Sequence, residues 1–239
     1  MIDMHSHILP GIDDGAQEVP EALLMLQKAA EHGVKIQVLT PHIQIGRYDN
    51  TLKSLQTEFT RFEGLVQEKE LNIQVRLAAE IRIGPEILPL VQTNAIPWLG
   101  TWQGQRVMLM EFPHNQVPVG AMNLVQWLLK HEALPMIAHP ERNRELQENM
   151  QKLMPFVEAG CLVQVTAGSL TGGFGAQAHR CAVELLRAGQ VTLLATDCHN
   201  MKYRPPDLNE GAKAATEIVG ESAAWDLVHS NPSTLLSLS

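Results

Sequence analysis

The 239-residue chain is predicted to fold as an α/β protein on a parallel sheet, open or closed. Three observations carry that expectation. Short apolar runs alternate with amphipathic helical stretches along the whole chain. The runs are apolar throughout instead of alternating, as strands covered on both faces must be. Polar residues able to bind metal follow one run after another, on the side where α/β barrels collect their reactive groups.

The strands are expected at residues 2–5, 36–40, 73–79, 107–110, 135–138, 162–166 and 191–196. The first helix is expected over 18–32, where Ala22, Leu23, Leu26, Ala29 and Ala30 form one apolar face and Gly33 supplies a left-handed stop. Similar patterns cover 51–70, 119–131, 143–159 and 176–188, and the last two stop at Gly160 and Gly189. Helices over 207–219 and 222–229 complete the chain, with no internal repeat, linker or low-complexity stretch. Residues 1–239 are therefore expected to form a single domain, a size that one α/β barrel often fills.

Composition narrows the function classes. Apolar residues make up 45% of the chain, enough for a well-buried core, and the net charge of −8 argues against nucleic acid as the main partner. Cys161, Cys181 and Cys198 are odd in number and lack zinc-ligand spacing, so a disulfide framework is not expected. No basic-then-apolar leader opens the chain, and no apolar run approaches about 18 residues. A soluble cytoplasmic protein without membrane insertion is the expectation.

The candidate metal ligands are His5, His7, Asp14, His42, Glu80, Glu111, His139, Asp197 and His199. His5 and His7 sit two apart on a predicted strand, so both point to one face. His42, Glu80, Glu111 and His139 then follow at about one βα unit each, roughly 30 residues, and the last step to Asp197 spans two units. Chance would scatter such residues over helices and both strand ends. A carboxylate after an apolar run, as at Glu80 and Glu111, is costly unless paired or metal-bound. Asp13-Asp14-Gly15 alone would be only a turn, and the neighbouring histidine pair changes that reading.

Five imidazoles and four carboxylates exceed the needs of one ion, and mixed nitrogen and oxygen ligation suits manganese, iron or zinc more than a structural zinc site. Three divalent ions against four carboxylates leave two positive charges, which a phosphate dianion would neutralise. Such a cluster lowers the pKa of bound water and clamps the oxygens of a phosphoryl transfer. Arg142 and Arg204 lie beside the ligands in sequence, and a planar guanidinium pairs bidentately with phosphate oxygens. A Cys-x5-Arg spacing occurs at Cys181 and Arg187 and again at Cys198 and Arg204. The first lies within a helix, and the second lacks glycines to turn backbone amides onto phosphate, so both are read as accidental.

Residues 1–15 (MIDMHSHILPGIDDG), Thr40-Pro41-His42, residues 46–50 (GRYDN), Ala79-Glu80-Ile81, Met110-Glu111-Phe112, residues 138–142 (AHPER) and residues 196–200 (TDCHN), followed by Arg204-Pro205-Pro206, resemble the polymerase-and-histidinol-phosphatase (PHP) superfamily. More narrowly they are similar to the manganese-dependent protein-tyrosine phosphatases of bacterial capsule and exopolysaccharide operons, the CpsB/YwqE group. The resemblance implies a distorted seven-stranded (βα) barrel of TIM-like PHP type and a single PHP phosphatase domain. It also implies up to three divalent ions, with manganese first and iron, zinc or magnesium as alternatives. The implied substrate is phosphotyrosine on a bacterial tyrosine autokinase.

Carried over by position, His5, His7 and Asp197 would hold one ion, and Glu111 and His139 a second, with Glu80 bridging the two. Asp14, His42 and His199 would hold the third, with Arg142 and Arg204 on the phosphate. The Ile43-Gln44-Ile45 loop departs from the pattern in carrying less positive charge. Two rivals are a PHP phosphatase or phosphodiesterase acting on a small metabolite such as histidinol phosphate, and a non-catalytic metal-binding barrel. GRYDN and Arg-Pro-Pro argue against the first, and the unbroken ligand set against the second. His32 and His131 are expected to be structural, at helix ends where positive charge suits the dipole. Tyr48, Trp102 and Phe112 are read as pocket lining or as packing.

Overall fold

The computed structural model describes residues 1–238. The chain runs β1 (Ile2–Asp3), α1 (Val19–Glu31), β2 (Ile36–Leu39), β3 (His42–Ile43), α2 (Leu52–Glu68), β4 (Gln74–Leu77), β5 (Glu80–Arg82), α3 (Ile87–Gln92), β6 (Gly100–Trp102) and β7 (Gln105–Glu111). It continues through α4 (Ala121–Lys130), β8 (Ala133–Ala138), α5 (Arg144–Glu148), α6 (Met154–Glu158), β9 (Leu162–Thr166), α7 (Ala167–Leu170), α8 (Gly175–Arg187) and β10 (Leu193–Ala195). Helices α9 (Leu208–Val219), α10 (Glu221–Trp225) and α11 (Asn231–Leu235) close the described chain.

Each of the seven predicted strands corresponds to a strand of the fold, but two of them kink. The second breaks at Thr40-Pro41 into β2 and β3, and the third breaks at Ala78-Ala79 into β4 and β5. Pro41 has no amide hydrogen to continue a ladder. The kinks divide the pairing between two sheets. β1, β2 and β4 are parallel in one, and β3, β5, β7, β8, β9 and β10 are parallel in the other, with β6 antiparallel on β7. Hydrogen bonds beyond the ladders link the two sheets. His7 N–H donates to Cys198 O (2.9 Å) and Asp197 N–H to His5 O (2.8 Å), joining the end of β1 to the end of β10, while Thr40 N–H to Ser6 O (2.8 Å) extends the β1–β2 pairing. The circuit therefore runs from the first strand past the last, which is the distortion of the seven-stranded pattern.

Strands β2, β8, β9 and β10 are buried along their whole length, as double coverage requires. The helices pack their apolar faces outside them. α2 starts with a capping box in which Thr51 and Ser54 exchange side-chain and backbone hydrogen bonds. α1 ends before Gly33, whose φ of +88° suits a residue without a Cβ. The helix expected over 143–159 is in fact three short segments. Asn149 leaves helical geometry and caps a 3₁₀ turn through Gln151 N–H, and Pro155 fits only the first turn of α6.

The strand β6 was not expected from the sequence. It forms a hairpin with β7 through Gln103-Gly104, both at positive φ, the geometry a two-residue hairpin turn needs. The hairpin meets α11 at Gly100, where an added Cβ would stand 2.2 Å from Leu235 O. Trp102 lies on this hairpin, strand order away from the ligand ends, and packs against the core cluster that includes Leu99 and Leu235. Phe112 is buried edge-on against Phe156. Both are packing residues.

Candidate metal centre

All nine candidate ligands converge on one cluster, seven of them at or beyond the carboxyl ends of strands. His5 and His7 follow β1, Glu111 is the last residue of β7, His139 follows β8, and Asp197 and His199 follow β10. His42 and Glu80 differ from the sequence expectation: they open β3 and β5, beyond the kinks, where their backbones pair directly in register. The kinks thus carry these two side chains inward.

The distances describe one connected cluster. His5 Nε2 and His7 Nε2 face each other at 3.2 Å. Asp197 Oδ1 lies 3.3 Å from the first and 3.2 Å from the second. Glu80 Oε2 lies 3.4 Å from His5 Nε2, 3.3 Å from His7 Nε2 and 3.0 Å from His42 Nδ1, while Glu80 Oε1 lies 2.8 Å from His139 Nε2. Asp14 Oδ1 lies 3.4 Å from His42 Nε2 and 3.5 Å from His199 Nε2. Glu111 Oε1 stands 3.9 Å from His139 Nε2, and its Oε2 lies 2.8 Å from Arg82. Four sets of donor atoms are tight enough to share a cation: His7, Asp14, His42 and His199; His5, His7 and Glu80; His5, His139 and Asp197; and His42, Glu80 and Glu111.

Partners behind the ring fix the imidazole tautomers. His7 Nδ1–H donates to Asp13 Oδ2 (2.7 Å), His5 Nδ1–H to Gln164 Oε1 (2.9 Å) and His199 Nδ1–H to Asp197 O (3.0 Å). Each contact leaves Nε2 as the ring atom facing the cluster, the orientation a metal-binding histidine takes. Asp13 also accepts from His42 N–H (3.0 Å), so one carboxylate sets two ligands. Gly15 makes this turn possible: a Cβ there would fall 1.8 Å from His7 O.

Sequence reasoning missed Asp13 and Gln164. The signal for Gln164 was a polar side chain in an otherwise apolar buried strand, the same cost argument that selected Glu80. It fills the βα unit that the ligand spacing had skipped.

A cation fits this donor set on a structural observation. Glu80 Oε2 and Asp197 Oδ1 are buried and close to several ring nitrogens, yet neither accepts a hydrogen bond of good geometry. Buried oxygens of this kind are rarely left unpaired. The electrostatics show the same strain. Burial lowers the affinity of His7 for a proton, but the Asp13 carboxylate and its hydrogen bond more than reverse this and hold it well above the usual range. Burial, together with the charge on Glu80, pushes Glu111 up to about 7. Burial and the nearby Arg142 cation push His139 down to about 4. The backbone is strained as well: His139 (φ +34°) and Asp197 (φ +51°) are left-handed without being glycine, at a cost of about 1–3 kcal/mol each.

Both arginines reach the ring. Arg142 Nη1 and Arg204 Nη2 each donate to Asp197 Oδ2, the oxygen of that carboxylate not facing His5 and His7. Tyr48 stacks on His42 at 5.3 Å with the planes 8° apart, so of the three aromatic candidates it is the one at the site. His32 and His131 lie elsewhere, the first 3.1 Å from Asp207 and the second stacked on Trp127 at the end of α4. Cys198 is fully buried, and burial followed by the Asp3 charge drives its thiol far above the ordinary range. Cys181 is buried on α8.

Known proteins resemble this chain over most of its length. Tyrosine-protein phosphatase YwqE of Bacillus subtilis is 35% identical over 204 residues, covering 85% of this chain and 79% of YwqE. Tyrosine-protein phosphatase CpsB of Streptococcus pneumoniae is 25% identical over 245 residues, covering 99% and 98%. A solved chain from the crystal structures of YwqE and CpsB, described as unique metal-dependent tyrosine phosphatases, superposes with a TM-score of 0.91 at 31% identity, covering 99% of this chain and 94% of that one. A phosphotriesterase homology protein from Escherichia coli matches at TM-score 0.59 and 13% identity, covering 98% and 96%, a likeness of fold alone. The family model described as capsular polysaccharide synthesis, CpsB/CapC, matches residues 1–237. The chain belongs to the CpsB/CapC family.

Proposed function

We propose that this chain is a metal-dependent protein-tyrosine phosphatase acting, as a single PHP phosphatase domain in the cytoplasm, on a bacterial tyrosine autokinase of capsule or exopolysaccharide synthesis. The observation that carries the reading is the convergence of nine nitrogen- and oxygen-donor residues, three of them with a buried carboxylate oxygen lacking a hydrogen-bond partner, beside two arginines. Tyrosine phosphatase names on relatives that cover most of the chain support it. Among the described residues, no helix is long and apolar enough to cross a membrane.

His5, His7, Asp14, His42, Glu80, Glu111, His139, Asp197 and His199 would hold up to three divalent ions, manganese being our assignment. When bound, such ions activate the attacking water and neutralise charge on the phosphoryl group. The protein residues do the rest. Arg142 and Arg204 exchange a share of Asp197 for the non-bridging oxygens of the phosphoryl group and stabilise the charge that grows on them. Asp13 and Gln164 hold the rings of His7 and His5, so that the donors do not reorganise during turnover. Tyr48 presents a flat aromatic wall at the rim, against which a phenyl ring can lie.

The test compares p-nitrophenyl phosphate with a phosphotyrosine peptide, before and after chelation. Activity is expected on both, lost with chelator and restored by manganese. Undiminished activity in the stripped protein would sink the mechanism. A strong preference for histidinol phosphate over the peptide would move the substrate to the small-metabolite class.

A further inference from the structure

Between α7 and α8 the chain reads Thr171-Gly172-Gly173-Phe174-Gly175, with Gly172 and Gly175 at φ of +83° and +87°. The Phe174 ring lies 4.3 Å from Cζ of Arg142 and 5.7 Å from Cζ of Arg204. Among the described residues, it is the one ring with two cations against it.

This segment has a firm base. Gly173 N–H donates to Gly168 O (2.8 Å), and a Cβ at Gly168 would stand 3.1 Å from the Phe174 ring. Buried Glu141 accepts from Thr166 N–H (3.0 Å) and the Ser169 hydroxyl (2.7 Å), which ties the turn carrying Arg142 to α7. Behind α7, Gly211 of α9 packs so closely that a Cβ there would lie 2.5 Å from that of Ala167.

We propose that Phe174 is a positioning residue, an aromatic shelf that sets Arg142 and Arg204 for phosphate; this rests on the phosphatase reading above. A guanidinium lying against a ring face keeps its in-plane N–H donors free. The ring accepts no conventional hydrogen bond from them, so the donors not taken by Asp197 point to an incoming anion. The shelf also keeps water from one side of both cations, which strengthens their field.

The test uses the full chain loaded with manganese. Phe174→Leu keeps apolar bulk, Phe174→Tyr keeps the ring, and Gly168→Ala shifts the ring. We expect Phe174→Leu to raise KM for a phosphotyrosine peptide, and to weaken orthophosphate binding measured by calorimetry, by about 5- to 10-fold, the size of a partly desolvated cation–π contact. The effect on kcat should be smaller and the metal content per chain unchanged. Phe174→Tyr should restore both constants, and Gly168→Ala should fall between. In an Arg142→Gln/Arg204→Gln background, Phe174→Leu should cost nothing more in orthophosphate affinity.

Unchanged KM and orthophosphate affinity in Phe174→Leu would overturn the proposal. An equal further loss in the double-arginine background would overturn it too, since the ring would then act on the ligand directly. If Phe174→Leu melts early, Gly168→Ala and Phe174→Tyr carry the comparison. A loaded wild-type protein that turns over no phosphate ester would sink the phosphatase reading, and calorimetry would still report on the shelf.

Discussion

Glu80 is the residue on which the site turns. Fully buried, it touches His5, His7, His42 and His139, and against the pull of burial the charges of His5 and His42 and the hydrogen bond from His139 hold its carboxyl well below the usual range. Glu80→Gln keeps the shape and removes the charge. Metal content per chain, read by elemental analysis, is expected to fall, and phosphatase activity to drop by more than about 100-fold, beyond what loss of an outer partner costs. Asp13→Asn is the milder companion, because it touches the ring only through His7 and His42 N–H. A loss of about 10- to 100-fold in manganese affinity is expected from titration calorimetry. Cys198→Ser should leave both activity and metal content near wild type, since the thiol is buried and held protonated. Abolished activity with intact metal binding would revive the cysteine mechanism.

At the scale of elements, the two kinked strands explain how a buried parallel sheet can carry so much polarity. β2 packs apolar side chains in the lower half, and three residues past Leu39 the same chain opens β3 with His42. β4 and β5 repeat the break, with Glu80 opening β5. The lower end is closed separately by the β6–β7 hairpin against α11, with Gly100 as the contact. Gly100→Ala pushes a methyl into Leu235 O and is expected to lower stability by about 1–3 kcal/mol. Metal stoichiometry should be retained, and a denaturant melt beside elemental analysis separates the two. The seven strands and the nine candidate donors that fold into one cluster were legible in the sequence, because a polar residue after an apolar run stands out by its burial cost. The kinks at Thr40-Pro41 and Ala78-Ala79 were not, since a short break leaves the apolar pattern intact on both sides. Gln103-Gly104 did signal the hairpin, but Gly100–Trp102 is too short to show a period. Phe174 was hidden for another reason: its role comes from two arginines brought beside it only by folding.

For the whole molecule, the cluster is a store of opposed charges that a cation would settle. A ligand that binds only the folded chain stabilises it by mass action, about 2.7 kcal/mol at a hundred times its Kd. Chelation should therefore lower the Tm, and manganese should raise it in a concentration-dependent way, followed by calorimetry. A Tm insensitive to both would mean that the donors close on one another at no cost.

The hydrogen bonds that join the two ends of the chain have a consequence for its birth. His5 and His7 stand beside Asp197, with His7 N–H bonded to Cys198 O and Asp197 N–H to His5 O. Contacts of such wide sequence separation form late and cost the most loop entropy. During synthesis His5 and His7 can meet Asp13 and Glu80 early, but they must wait for about 190 further residues before Asp197 emerges. A nascent chain halted before β10 would carry most of the donors and still have no closed ring to trap an ion.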